Sequence, residues 1–267
     1  MKVIIVSAAL LAPGLLFAQS HEEHQHSAVM PAQNMSQAGT DPAMQEAHAM
    51  SQAAHGGSIN WLLMADRFEY LEDSGDERLQ WEAQSWIGGD LNKFWFKTEG
   101  TYERDAASEV DAEVQLLYSR AFAPFWDLQT GLRHDEGAYA SADYAVLGIN
   151  GLAPYWFEVD AAAFLSDSGK VSTRLEVEYE LRFSQRLILQ PRLELNYAFA
   201  DDPDLNSWQG MQEASFSLRL RYEFLREFAP YVGVEWSRAY GKTGTVLQRS
   251  GLDDREASVV AGLRVWY

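Results

Sequence analysis

Between Val171 and Phe183 the chain alternates without a break. Val171, Thr173, Leu175, Val177, Tyr179, Leu181 and Phe183 fall on one parity, and Ser172, Arg174, Glu176, Glu178, Glu180 and Arg182 on the other. A period of two is that of an extended strand, whose successive side chains point to opposite faces. One face here is aliphatic and aromatic, the other almost wholly charged. A soluble sheet seldom concentrates that much charge on one face, whereas a membrane barrel needs an apolar wall toward lipid and a polar lumen. This segment therefore directs the chain toward an all-β, transmembrane architecture.

The pattern recurs downstream. It predicts twelve strands near residues 60–70, 78–87, 92–103, 109–120, 124–133, 140–150, 154–165, 171–183, 186–198, 213–225, 229–239 and 256–267. An even number suits an antiparallel, up-and-down bacterial barrel that returns both termini to the periplasm. If the first strand runs outward, the outer loops fall at Leu71–Glu77, Arg104–Ser108, His134–Tyr139, Ser166–Lys170, Phe199–Gln212 and Tyr240–Arg255, which include the longest connections. Three inner turns are read from a repeat: Phe122-Ala123-Pro124-Phe125, Leu152-Ala153-Pro154-Tyr155 and Phe228-Ala229-Pro230-Tyr231. Proline fits a turn or a first strand position because it donates no ladder hydrogen bond, and the flanking aromatics suit a membrane-interface girdle. A soluble β-sandwich reusing one turn is the competing fold. The last strand argues against it, since Val259, Ala261, Leu263, Val265 and Tyr267 alternate outward and end on an aromatic, like the closing strand of outer-membrane barrels.

Upstream the composition changes. Met1 and Lys2 precede an apolar run from Val3 to Ala12, then Pro13-Gly14 and Leu15-Leu16-Phe17-Ala18, which reads as a secretory signal peptide over 1–18 cut after Ala18. Residues 19–57 are rich in Ala, Gln, Ser, Met and His and lack Lys and Arg, so they cannot form a core and are expected to be a disordered periplasmic tail. The barrel domain is assigned to 58–267. No later stretch is long and apolar enough for a transmembrane helix. With no cysteine, an exported chain draws stability from a closed hydrogen-bonded barrel rather than from disulfides. A formal net charge of −18 excludes nucleic acid as a partner and favours cations.

Strand parity places Glu82, Lys97, Glu99, Glu103, Asp111, Glu113, Asp127, Arg133, Glu158, Asp160, Glu176, Glu178, Glu180, Arg192, Glu194, Arg219, Arg221, Glu223, Glu235 and Arg264 inside the barrel. Carboxylates predominate, as in cation-attracting pores. Two readings stay open: a cation pathway, or charges that pair across strands and plug a small barrel. The tail offers a second signal. All but one of the six histidines, His21, His24, His26, His48 and His55, lie there with Met30, Met35, Met44 and Met50. Imidazole suits Cu(II) and thioether suits Cu(I), so the segment is a candidate for transient copper binding. Cleavage after Ala18 would also leave Gln19-Ser20-His21 at the amino terminus. There the α-amine, two backbone amides and the His21 imidazole can close a square-planar Cu(II) or Ni(II) site. Candidate ligands in the barrel are Met64, Asp66, Glu82, Glu99, Glu113, Asp127, Glu176 and Glu178. Met64 also has an ordinary packing role open to it.

Several segments carry a family resemblance: Met64-Ala65-Asp66-Arg67-Phe68-Glu69, Trp86-Ile87-Gly88-Gly89-Asp90, Lys97-Thr98-Glu99-Gly100, Leu117-Tyr118-Ser119-Arg120, Pro124 through Arg133, Leu187-Ile188-Leu189-Gln190-Pro191, Leu218 through Glu223 and Phe228 through Val234. Together they resemble the copper resistance protein B family over 59–267. The resemblance implies an outer-membrane barrel of a Gram-negative bacterium that binds or passes copper and contributes to copper resistance and homeostasis. It also implies outer-membrane lipid and copper ions as partners, with a periplasmic multicopper oxidase or copper carrier of the same system, and it implies no enzymatic activity. The alternative is a general cation-selective porin. A barrel phospholipase or protease needs a histidine on the barrel, and only His134, expected in an outer loop, is available.

Overall fold

The computed structural model describes residues 59–73, 76–103, 110–137, 140–205, 207–249, 251 and 253–267. The expected signal peptide (1–18) and tail (19–57) lie outside them.

The strands are β1 (Asn60–Asp73), β2 (Asp76–Gly88), β3 (Asn92–Glu103), β4 (Val110–Ala123), β5 (Trp126–Glu136), β6 (Ala142–Ala153), β7 (Phe157–Ser166), β8 (Val171–Glu178), β9 (Leu181–Arg182), β10 (Leu187–Ala198), β11 (Gly210–Tyr222), β12 (Phe228–Ala239) and β13 (Arg255–Trp266). From β1 to β8 each strand pairs antiparallel with the next, β8 and β9 both pair with β10, β10 pairs with β11, β11 with β12 and β12 with β13, and β1 pairs with β13 to close the sheet. The segments β8 and β9 are two pieces of one stave, so the barrel has twelve staves, as the alternation predicts. At the seam, Leu63 and Tyr267 exchange both backbone hydrogen bonds (3.0 and 2.8 Å). Closure leaves no unpaired edge, which a lipid environment requires.

The strand expected over 171–183 is interrupted at Tyr179 and Glu180. Opposite Tyr179 stands Pro191 of β10. The Tyr179 amide donates to the Pro191 carbonyl (3.1 Å), but proline has no N–H to return the bond, and the ladder opens there. A second irregularity lies in β1, where the register slips between Ala65 and Arg67. This β-bulge turns the consecutive side chains of Asp66 and Arg67 both inward and reverses the parity beyond them. Leu62, Met64 and Asp66 are buried before it, Arg67, Glu69 and Leu71 after it, while Phe68 and Tyr70 face out.

The proline repeat divides. Pro124 and Pro154 sit in turns, with Phe125 and Tyr155 at φ 67° and 66°. The third copy is not a turn: Phe228 to Tyr231 already belong to β12, and Tyr231 points into the lumen, 5% exposed. The turn before it is made instead by residues 223–227, because Ala229 and Pro230 pair with Arg264 and Leu263 of β13. Tyr231 lies opposite Gly262, where a Cβ would fall 2.7 Å from the phenol ring, so only glycine leaves the ring its place.

Leu63, Leu116, Leu132, Leu147, Leu165, Val232, Val259 and Leu263 are exposed on the outer surface. Aromatic pairs band it toward the end with the short turns, among them Trp61–Tyr267, Phe94–Tyr118 and Phe157–Tyr179 with centroids 5.4, 5.5 and 4.8 Å apart. Tyr197–Phe199, 4.9 Å apart, lies toward the opposite end. An apolar wall between aromatic girdles is the exterior of an outer-membrane barrel. Among the described residues no helix is long and apolar enough to cross a membrane.

The longer connections gather at the end away from Asn60 and Trp266. One holds the helix α1 (Gly241–Arg249), another the 3-10 turn Pro203–Leu205. They are tied together. Lys242 Nζ donates to Asp201 (2.6 Å) and stands 5.5 Å from the Trp208 ring centroid, Lys170 pairs with Asp202 (2.8 Å), and Thr243 donates to Gln212 (2.8 Å). The hydrogen bonds from Lys242 and from the Gln209 amide hold the Asp201 carboxyl below its ordinary pKa.

Candidate functional site in the barrel lumen

Inward parity brings most of the predicted lumen charges to one interior surface, with Glu103 exposed at the end of β3 and Glu223 beyond β11 in the following turn, and the pairing registers arrange them. Glu82, Glu99, Glu113 and Asp135 stand opposite one another in succession on β2, β3, β4 and β5. On the facing wall Asp160, Glu176 and Glu194 do the same on β7, β8 and β10. Two carboxylate arcs face each other across the lumen. Left alone they would repel, and cations set between them offset that repulsion.

Those cations cross the lumen. Lys97 of β3 donates to Asp160 of β7 (2.7 Å). Arg174 of β8 reaches Glu113 of β4 (2.9 Å) and Glu99 of β3. Arg192 of β10 donates to Glu82 of β2 and to Glu176 of β8 (2.7 and 2.5 Å). None of Lys97–Asp160, Arg174–Glu99 or Arg192–Glu82 joins neighbouring strands, so each is a strut between walls. Arg133 adds ion pairs to Glu113 and Asp135 (2.8 and 2.6 Å) along one wall. A second tier lies nearer the short turns. Arg219 binds Glu69 and Glu235 (2.5 and 2.7 Å), Arg221 binds Glu180 (2.6 Å), and Arg264 pairs with Asp66 (3.0 Å).

Part of the interior is apolar. Trp95, Leu117, Val146 and Phe164 form a buried cluster against Trp86, Tyr144 and Ala162 on β2 to β7. Cations lie over its rings: Arg133 is 4.4 Å from the Phe164 centroid, Lys97 5.8 Å from Trp95 and Lys93 5.9 Å from Trp86. These contacts hold the long basic side chains extended toward the carboxylates opposite.

Above the struts, toward the long connections, a cavity of about 350 Å³ is lined by Glu99, Asp111, Glu113, Asp135, Glu136 and Glu194 together with Arg67 and Arg133. Leu205, from the 3-10 turn, reaches its rim. Below them Asp66, Arg67, Glu178, Gln190, Arg192, Arg219 and Tyr231 enclose a void of about 10 Å³. That is room for one water molecule.

Each candidate ligand of the barrel has a place in this network. Glu82 is shared by Arg67 and Arg192, Glu99 and Glu113 hold Arg174, and Glu176 holds Arg192. Asp127 takes Lys93 and Ser119 (3.1 and 3.2 Å), and Glu178 accepts from Gln190. Asp66 meets Arg264, whose other nitrogen is 3.6 Å from the Met64 sulfur. Among the described residues no three His, Cys, Asp or Glu side chains stand grouped to hold a metal ion. The arrangement can attract a cation into the outer cavity, and it can bind one further in only by exchanging a basic side chain for it. His21, His24, His26, Met30, Met35, Met44, His48, Met50 and His55 lie outside the described residues. His134 is not in a loop; it lies within β5, near its end, and points outward, paired with Asp143 (2.7 Å).

Five charged participants were missing from the parity set. Lys93, Arg174 and Asp135 share the inward parity of Lys97, Glu176 and Arg133 and were legible there. Arg67 and Glu69 were not, because the bulge that turns them inward leaves no mark in the alternation.

Comparison with known proteins adds the lineage. The family described as Copper resistance protein B precursor (CopB) matches residues 59–267. Copper resistance protein B of Escherichia coli is 40% identical over 215 residues, covering 80% of this chain and 72% of that protein. Its homolog in Pseudomonas syringae pv. tomato (strain ATCC BAA-871 / DC3000) is 38% identical over 213 residues, with the same coverage. Among solved structures, the NanC porin aligns with TM-score 0.52 at 12% identity and the KdgM porin with TM-score 0.50 at 11%. Each alignment covers 76% of this chain and 98% of the porin. At that identity the likeness concerns the fold.

Proposed function

The chain belongs to the copper resistance protein B family, and from that premise we propose that it binds copper ions as cargo and passes them across the outer membrane through its acidic lumen. Family and fold are those of a copper-resistance outer-membrane barrel rather than of an enzyme class. The observation that carries the reading is the pair of facing carboxylate arcs beneath an acidic outer cavity. Such a lumen focuses cations and repels anions.

The histidine- and methionine-bearing segment 19–57 supplies what the lumen lacks, nitrogen and thioether donors that prefer copper to alkali and alkaline-earth ions. In this reading the segment collects copper in the periplasm and the acidic lumen passes it. A periplasmic copper carrier or oxidase of the same system is the partner that would exchange metal with the tail. The struts weigh against an unselective porin, since an open pore needs a lumen that side chains do not cross.

Copper titration of the mature chain and of residues 58–267, both folded in detergent, tests the division of labour. High-affinity binding lost with the tail, and weaker binding retained by the barrel, is the expected result. Equal binding of copper and magnesium by the full chain would contradict it.

A further inference from the structure

The Glu82 carboxylate serves two guanidiniums from opposite walls of the lumen. Glu82 accepts from Arg67 on the adjacent strand (Nε, 2.7 Å) and from Arg192 on the opposite wall (2.7 Å). The other terminal nitrogen of Arg192 turns back to Glu176 (2.5 Å). Arg67 lines both the outer cavity and the small inner void, and Arg192 lines the void. Arg67, held by Glu82 and through it linked to Arg192, thus stands in the partition between the two spaces.

Arg67 needs only its own wall to keep its place, whereas Arg192 spans the lumen. It is also incompletely satisfied: its Nε is buried without a hydrogen-bond partner among the described residues. Opening the partition requires Arg192 to release Glu82. A potassium ion carries no more charge than the guanidinium it would displace and forgoes its fork geometry. A divalent ion doubles the Coulomb attraction at similar distance, and Cu(II) forms inner-sphere bonds with carboxylate oxygen.

We propose that Arg192 is a specificity-determining residue, an exchangeable strut that a divalent cation displaces from Glu82 and Glu176 and that monovalent cations leave in place. This rests on the copper-passing reading and deepens it, because it names what restricts an acidic lumen to tightly carboxylate-binding ions. The guanidinium, released, keeps its charge and swings to the wall; no proton is transferred.

The test is conductance of the full mature chain in planar bilayers in KCl, first with a chelator and then with Cu(II) on the loop side. The wild type should conduct little with chelator and several-fold more after Cu(II). Arg192→Gln should conduct at the higher level with chelator present and respond little to Cu(II). Glu82→Gln releases the same strut from the other wall with a charge change of opposite sign, and should raise chelator-state conductance too. Heat-dependent gel mobility verifies that each variant is folded. Folded variants matching the wild type in chelator, or a wild type already open there, overturn the proposal. If the wild type admits copper into vesicles while the variants show no change, the strut alone fails. If it opens for Ca(II) as readily and admits no copper, the copper reading fails and the strut stands.

Discussion

Arg192 and Glu82 meet at 2.7 Å although β10 and β2 are not neighbours in the sheet. An ion pair of this kind, with Arg192 5% exposed, braces the barrel as well as spanning its lumen. Removing one partner of a buried pair strands the other, so Arg192→Met should cost about 3 kcal/mol. The double variant Arg192→Met with Glu82→Gln should cost less than the sum of the single changes, with a coupling of about 1–2 kcal/mol. Urea unfolding in lipid, followed by tryptophan fluorescence, checks both; strict additivity would mean that the pair bears no load.

Gly262 gives a steric prediction. A Cβ there falls 2.7 Å from the Tyr231 ring, so Gly262→Val should destabilise by about 1–3 kcal/mol through overpacking. Gly89 has no atom within 4 Å of its Cβ position, and Gly89→Ala should leave the unfolding midpoint unchanged. Equal effects at the two sites would contradict the packing described for Tyr231.

The outer connections should loosen in acid. Asp201 is held below its ordinary pKa by Lys242 and the Gln209 amide. A depressed carboxylate contributes stability that is present above its unfolded pKa and lost as pH falls through the folded value. The protection of α1 amides relative to their intrinsic exchange should therefore be high at neutral pH and fall below the normal carboxylate range. Lys242→Met should make that protection low at both. Protection indifferent to both pH and the substitution would show that the contact does not hold the helix.

Much of this was legible in the alternation alone. The twelve staves, the outward course of Val259 to Tyr267 and the inward charges from Glu82 to Arg264 all follow from a period of two and the demand for an apolar wall. The misreadings share one cause, since parity describes side-chain direction in an unbroken ladder. The bulge at Asp66 reverses that parity and hides Arg67 and Glu69. Pro191 breaks the Tyr179–Glu180 stretch from across the sheet, where a single strand's pattern gives no sign of it. Pro230 reads like Pro124 and Pro154, but only its pairing with Leu263 shows that it is already inside a strand. Which carboxylate meets which cation across the lumen depends on closure, and closure is invisible to local pattern.

The amino terminus carries a separate prediction. If cleavage after Ala18 leaves a free Gln19 amine, the mature chain should bind Cu(II) or Ni(II) in a square-planar nitrogen site closed by His21. His21→Ala should abolish its visible absorption band, while His24→Ala and His26→Ala leave it. Mass spectrometry showing a cyclised Gln19, or a band unaffected by His21→Ala, would refute the site.

The central claim is that copper crosses through the acidic lumen, and vesicle flux tests it most directly. The full mature chain would be reconstituted into liposomes loaded with a copper-quenched fluorophore, beside a variant with Glu99, Glu113 and Glu176 changed together to Gln. Rapid quenching by added copper in the wild type, slowed several-fold in the variant while chloride leakage does not fall, is the predicted result. Copper quenching no faster than in protein-free vesicles, or unchanged by the substitutions, would contradict it.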